Sequence, residues 1–122
     1  MPTRIAVSVQ RDNLTREMIE RTGQFNLSVL TENVPFETIR HFGMQSGRDV
    51  NKLDSYADAK RSSNGLLYIT KNTNALISCK VISHQDLGSH TLFIGEVTES
   101  KVLSSAPSCT YAYYHKAIKQ KI

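Results

Sequence analysis

Ala75-Leu-Ile-Ser-Cys-Lys-Val-Ile-Ser83 and His90-Thr-Leu-Phe-Ile-Gly-Glu-Val-Thr-Glu99 are two β-rich runs, joined through Gln85-Asp-Leu-Gly-Ser89. Asp, Gly and Ser between apolar runs are turn formers, so the pair reads as a hairpin. In the first run Cys79 keeps phase with Ile77 and Val81, which makes it a core residue and not a nucleophile. In the second, Leu92 and Ile94 share one phase and Val97 has the opposite parity, with Gly95 between them. A bulge at Gly95 or Glu96 would return these residues to one face.

Working outward, a short strand is predicted over Leu66–Ile69, and Ile5, Val7 and Val9 alternate with Ala6 and Ser8 as another strand. Asn13–Gly23 carries cap candidates, Leu14, Met18 and Ile19 at helical spacing, and a glycine stop. Phe25, Leu27 and Val29 form a further strand. Asn33–Gly43 repeats the cap, proline, helix and glycine order, with Phe36, Ile39 and Phe42 on one side. From Gly43 to Asn64 no apolar period is sustained, and a structureless stretch of that length inside a small domain is usually functional or disordered. Mostly antiparallel strands with these two short helices predict a mainly β fold, a small barrel or sandwich with helical insertions. The first strand has nothing ahead of it to pair with or cover it, and Lys121-Ile122 follows no closing element. A partner chain supplying the edges, or a shortened domain, would account for both.

The 122 residues, 39% hydrophobic and 21% charged, suit a single domain over 1–122. Two widely separated cysteines, Cys79 and Cys109, exclude a disulfide scaffold and a Cys-x-x-Cys redox or zinc motif, and fit a reducing compartment. No basic start with an apolar run opens the chain, and no apolar stretch approaches a membrane span, so a soluble cytoplasmic protein with no membrane contact is expected. Fifteen basic against 11 acidic residues, net +4, favour anionic partners, although Lys116, Lys119 and Lys121 read as a solvated tail. His41, His84, His90 and His115 lack metal-ligand spacing. Tyr111, Tyr113 and Tyr114 with Lys116 could form a stacking platform, but no nucleic-acid motif accompanies them, and dimer packing accounts for them better.

The stretch richest in chemistry is His41-Phe-Gly-Met-Gln-Ser-Gly-Arg-Asp-Val-Asn-Lys-Leu53. Ser46 offers a hydroxyl, Gly47 a free backbone amide, and Arg48 and Lys52 two cations, the groups a phosphate needs. Taken alone, the stretch reads as a glycine-broken turn with solvated charges. The order His-Phe-Gly-x-x-Ser-Gly-Arg-Asp-Val-x-Lys, however, resembles the corresponding loop of the flavin reductase family with the FMN-binding split-barrel fold, the group of flavoredoxin and the flavin domain of high-molecular-weight rubredoxin. Four more segments match in the same order: Ile5-Ala-Val-Ser-Val with Asn13-Leu-Thr, Phe25-x-x-Ser-Val-Leu, Gly88-Ser-His-Thr-Leu-Phe-Ile-Gly-Glu-Val97, and Thr110-Tyr-Ala-Tyr-Tyr-His115.

The resemblance implies an FMN-binding split β-barrel, a homodimer with FMN at the subunit interface, and NAD(P)H as electron donor to a rubredoxin-like or other acceptor. It places the phosphate at Ser46, Gly47, Arg48 and Lys52, and the flavin ring toward His90. Without the resemblance, His90 reads as a hairpin-end histidine bonding to backbone. Asn13 and Thr15 match positions near cofactor, though a helix cap explains either. Family members usually carry about thirty residues ahead of the position of Met1, including a flavin-contacting strand. A barrel incomplete at the N-terminus, binding flavin weakly or not at all and therefore without enzymatic activity, is the alternative expectation. No catalytic acid, base or nucleophile stands out, as expected where the flavin itself carries the chemistry.

Overall fold

Strands of 14 and 13 residues, β5 (Thr73–Asp86) and β6 (His90–Val102), form the predicted hairpin and extend past its apolar runs. In the computed structural model, which describes residues 3–10, 14–39 and 59–118, the remaining elements are β1 (Arg4–Gln10), α1 (Leu14–Thr22), β2 (Gln24–Leu30), α2 (Phe36–Ile39), β3 (Ala59–Arg61), β4 (Leu67–Ile69) and α3 (Tyr111–Tyr113). The helical path of α3 runs on as a π-helical turn over Tyr114–Ile118. One antiparallel sheet has the order β1-β6-β5-β2, and β3-β4 is a separate two-stranded ribbon.

The hairpin turns tightly over Leu87–Ser89. Leu87 N–H donates to the His90 carbonyl at 2.8 Å, and Gly88, at φ +94°, donates its N–H to Asp86 Oδ1 at 2.8 Å. That left-handed conformation is one that glycine adopts at no steric cost. On the other flank, α1 ends where predicted: Gly23, at φ +69°, donates to the Ile19 carbonyl at 2.8 Å and closes the last turn. Of the three apolar positions that suggested the helix, only Ile19 is buried, and Met18 stays exposed because one residue suffices to meet the sheet over so short a helix.

The core corrects the expected bulge. Buried positions along β6 are Thr91, Phe93 and Gly95, with Val97 packed against the same cluster, and these four share one parity without a bulge. Leu92 and Ile94 occupy the opposite face. Gly95 pairs regularly with Ile5 on one side and Val81 on the other. The irregularities fall beside it: Thr98 is the extra residue where the register passes from Cys79↔Val97 to Ser78↔Glu99, and Ile82 is the extra residue between Val81 and Ser83. Gly95 is there for space. A Cβ at this position would meet Cys79 Cβ at 2.8 Å and the Phe25 ring at 2.8 and 2.9 Å. Phe25, Cys79, Phe93 and Ile19 make the core cluster, with Ile5, Val7, Val9, Leu27, Ile77, Val81 and Val97 packed around it.

The first strand has a partner on one side, while its other side is an edge of the sheet among the described residues. All seven residues of β1 pair with β6, from Arg4↔Glu96 to Gln10↔His90, and its apolar side faces the core. Two further expectations change. The stretch predicted to be irregular up to Asn64 contains β3, whose Ala-Lys-Arg sequence has no apolar period because only pairing with β4 makes it a strand. A third helical element follows Thr110, whose Oγ1 accepts the Tyr113 N–H at 3.1 Å as an N-cap. The aromatic, strand-favouring composition of Tyr-Ala-Tyr-Tyr concealed it. Of the second predicted helix, 36–39 is described, and its continuation to Gly43 lies outside the described residues, as does the expected loop from 43 to 58.

The ribbon sits on β2 through polar side chains. Asn26, opposite Ser78 in the sheet, donates from Nδ2 to Ser62 Oγ (2.9 Å) and to the carbonyls of Leu67 (3.2 Å) and Leu66 (3.3 Å). Its Oδ1 accepts from Ser78 Oγ (2.7 Å) and Asn64 Nδ2 (3.0 Å). Ile69 N–H donates to Ser28 Oγ at 3.1 Å.

Gly95→Ala tests the core. Because the new methyl meets a Cβ fixed to backbone and the body of a ring, the substitution should destabilise by about 1–3 kcal/mol, read as a lowered Tm in thermal unfolding. Adding Phe25→Leu should recover part of the loss, since the two sites share one contact. An unchanged Tm for Gly95→Ala would contradict this packing.

Candidate functional site

The hairpin turn positions His90. As first residue of β6 it is held between the turn bond to Leu87 and its pairing with Gln10 at the end of β1. Its ring is half-buried, with Nδ1 2.8 Å from Ser89 Oγ. Since β1 leads into α1, the same end of the sheet carries the first turn of α1, where Thr15 is exposed. The β1–β6 pairing thus fixes His90 at that end, and Thr15 lies in the helix that follows β1. Asn13, Ser46, Gly47, Arg48 and Lys52 lie outside the described residues.

The opposite end of the sheet holds the flanks of the stretch that carries the other candidates. The chain leaves α2 at Ile39, beside the end of β2, and returns at Ala59, which pairs with Ile69 next to Ser28. Ser28 stands opposite Leu76 of β5, ten positions from Asp86 at the hairpin turn. At about 3.3 Å per residue that is up to roughly 33 Å along the strand. The flanks of the predicted phosphate loop and His90 therefore lie at opposite ends of the sheet within one chain.

An open, mainly apolar cleft of about 420 Å³ lies at the α2 end, lined by Val29, Leu30, Ile39, Cys109, Tyr111 and Tyr114 among others. It is closed on one side by the segment after β6, where Cys109 N–H donates to the Leu30 carbonyl at 2.7 Å and Glu32 N–H to the Pro107 carbonyl at 3.0 Å. Tyr111 and Tyr114 each meet the His115 ring edge-on, at 4.2 and 5.0 Å between centroids. The Tyr114 hydroxyl is buried and has no partner among the described residues. Sequence reasoning missed this cleft, although Thr110 ahead of a tyrosine run was a readable cap signal.

Neither thiol is activated by its surroundings. Burial pushes the Cys79 thiol above its ordinary value. Cys109 is raised by burial and then by the Glu32 carboxylate, so both stay protonated near neutrality. Both are free thiols. No helix among the described residues is long and apolar enough to cross a membrane. Among the described residues the candidate groups are the His90 ring and the Thr15 hydroxyl, which can bind and orient a group that carries the chemistry itself.

Comparison with known proteins bears on which group that is. The profile of the flavin reductase like domain matches residues 1–121. The chain is 40% identical over 115 residues to the high molecular weight rubredoxin of Moorella thermoacetica, covering 94% of this chain and 50% of that protein. It is 36% identical over 120 residues to the ferric-chelate reductase (NAD(P)H) of Archaeoglobus fulgidus, covering 98% of this chain and 70% of that one. It thus spans only half the length of the Moorella protein. In structure it is similar to an FMN-binding protein from Thermus thermophilus, with TM-score 0.76 at 19% identity over 85% of this chain and 56% of that chain. An NADH:FAD oxidoreductase from Streptomyces globisporus has the same score, at 22% identity over 88% and 63%. These two likenesses establish a fold, the curled half-barrel of the split-barrel proteins, as the ordered sequence matches implied. With a profile match over nearly every residue and two relatives above one-third identity, the chain belongs to the flavin reductase-like domain family.

Proposed function

We propose that this chain is an FMN-dependent NAD(P)H oxidoreductase domain that delivers electrons to a separate acceptor such as a rubredoxin-like protein. The observation that carries the reading is the match over 98% of the chain to a protein named ferric-chelate reductase (NAD(P)H). The FMN would supply hydride acceptance and onward electron transfer. Everything left for the protein is binding and orientation. Ser46 and the Gly47 amide would donate to the phosphate, while Arg48 and Lys52 would neutralise it. Asn13, Thr15 and His90 would face the ring. His90 fits that role, because the hairpin turn and the β1–β6 pairing hold it at one end of the sheet.

We further propose that the working form is a homodimer with FMN between subunits. Support comes from the separation between His90 and the flanks of the phosphate loop within one chain. Two copies facing in opposite directions would bring the loop of one to the hairpin of the other. Sedimentation velocity at micromolar concentration should then give a dimer. A folded monomer at that concentration would contradict the arrangement.

Flavin titration tests the chemistry. The purified chain with FMN should develop a protein-bound flavin spectrum and oxidise NADH or NADPH when an acceptor is present. Arg48→Ala should weaken FMN about ten- to a hundredfold, the loss of a charge-assisted contact of roughly 1.5–3 kcal/mol, and leave riboflavin nearly unaffected. Equal losses for both flavins would exclude a phosphate-specific role for Arg48.

A further inference from the structure

Asparagine in the middle of a strand is an unfavourable choice, because its side chain competes with the backbone for hydrogen bonds. Asn26 nonetheless sits in the middle of β2, and its side chain is fully used. Both sides of the amide are engaged, Nδ2 with Ser62 Oγ and two ribbon carbonyls, Oδ1 with Ser78 and Asn64. Ser78 is fully buried, Ser62 nearly so, and Ser62 Oγ also donates to Asn64 Oδ1 at 2.6 Å. An amide with its capacity filled in a shielded setting fixes orientation more strictly than an apolar contact would.

The ribbon it holds cannot place itself. β3 and β4 have three residues each, too few for an independent hairpin. This network joins them to the sheet together with Ser28 Oγ accepting from Ile69, the buried Tyr68 and Ile69 side chains, and Ser63 N–H donating to Glu99 Oε1 at 3.5 Å. β3 is also where the chain returns after residues 40–58, the stretch with Ser46, Arg48 and Lys52.

We infer that Asn26 is a positioning residue for flavin-phosphate binding: by clamping β3–β4 onto β2 and β5 it fixes where the phosphate-binding stretch rejoins the fold. The inference rests on the proposal that Ser46, Arg48 and Lys52 hold the FMN phosphate. Asn26 itself does not touch the phosphate. It acts through the ribbon, so its loss should be felt by FMN and not by riboflavin, which has no phosphate.

The test titrates FMN and riboflavin separately into the wild-type chain, Asn26→Leu and Asn64→Ala, with circular dichroism to establish folding. Asn64→Ala removes one arm of the clamp at the turn without altering β2. In Asn26→Leu the FMN Kd should rise about tenfold or more, and in Asn64→Ala roughly threefold, as expected for losing several or fewer hydrogen bonds. Riboflavin should stay within about twofold in both. If Asn26→Leu does not fold, Asn64→Ala alone decides. A folded variant with an unchanged FMN-to-riboflavin ratio, or with both affinities falling together, overturns the positioning role while leaving the phosphate site standing. A wild-type chain that does not prefer FMN to riboflavin overturns the phosphate reading and this inference with it.

Discussion

The missing side chain at Gly95 governs how the sheet meets its core. Phe25 reaches across from the other edge of the sheet and lies where a Cβ would stand, with Cys79 beside it. Interiors packed to crystal-like density have no slack for a methyl at such a point. Phe93, Ile19 and the apolar side of β1 then close around the same cluster. Because β1 and β5 flank β6 at Gly95, one close approach sets the position of three strands. The hairpin turn follows from that alignment, and with it the placement of His90.

Much of this architecture was legible from residues. Alternation at Ile5, Val7 and Val9, and at Phe25, Leu27 and Val29, located β1 and β2, and Gly23 and Gly88 marked their helix stop and hairpin turn. What misled was the choice of face in β6. Leu92 and Ile94 are the bulkier-looking alternation, yet the core takes Thr91, Phe93, Gly95 and Val97, because a threonine and a glycine satisfy the space left by Val9 and Phe25. Periodicity measures hydrophobicity, and this face was chosen by shape. β3 was invisible for a different reason. Lys60 and Arg61 become strand only through pairing with β4, a nonlocal cause that no local pattern records.

The candidate site was legible mainly as an order of motifs. His-Phe-Gly-x-x-Ser-Gly-Arg-Asp-Val-x-Lys is chemically ambiguous by itself, and the other four segments removed the ambiguity by occurring in the same sequence along the chain. The supports around it were not legible. Asn26 reads as a neutral surface alternate in β2 until Ser62, Asn64 and Ser78 are seen converging on it. The C-terminal cleft depended on a cap bond from Thr110 and on contacts between residues far apart in sequence, such as Leu30 with Cys109.

Hydrogen exchange of the chain with and without saturating FMN probes the central claim, that the loop and the hairpin end together hold the flavin. The account predicts slowed exchange in two separate regions, peptides spanning 41–53 and peptides around His90, with riboflavin protecting the second but not the first. Protection confined to the cleft of Tyr111 and Tyr114, or no protection by either flavin, would contradict it.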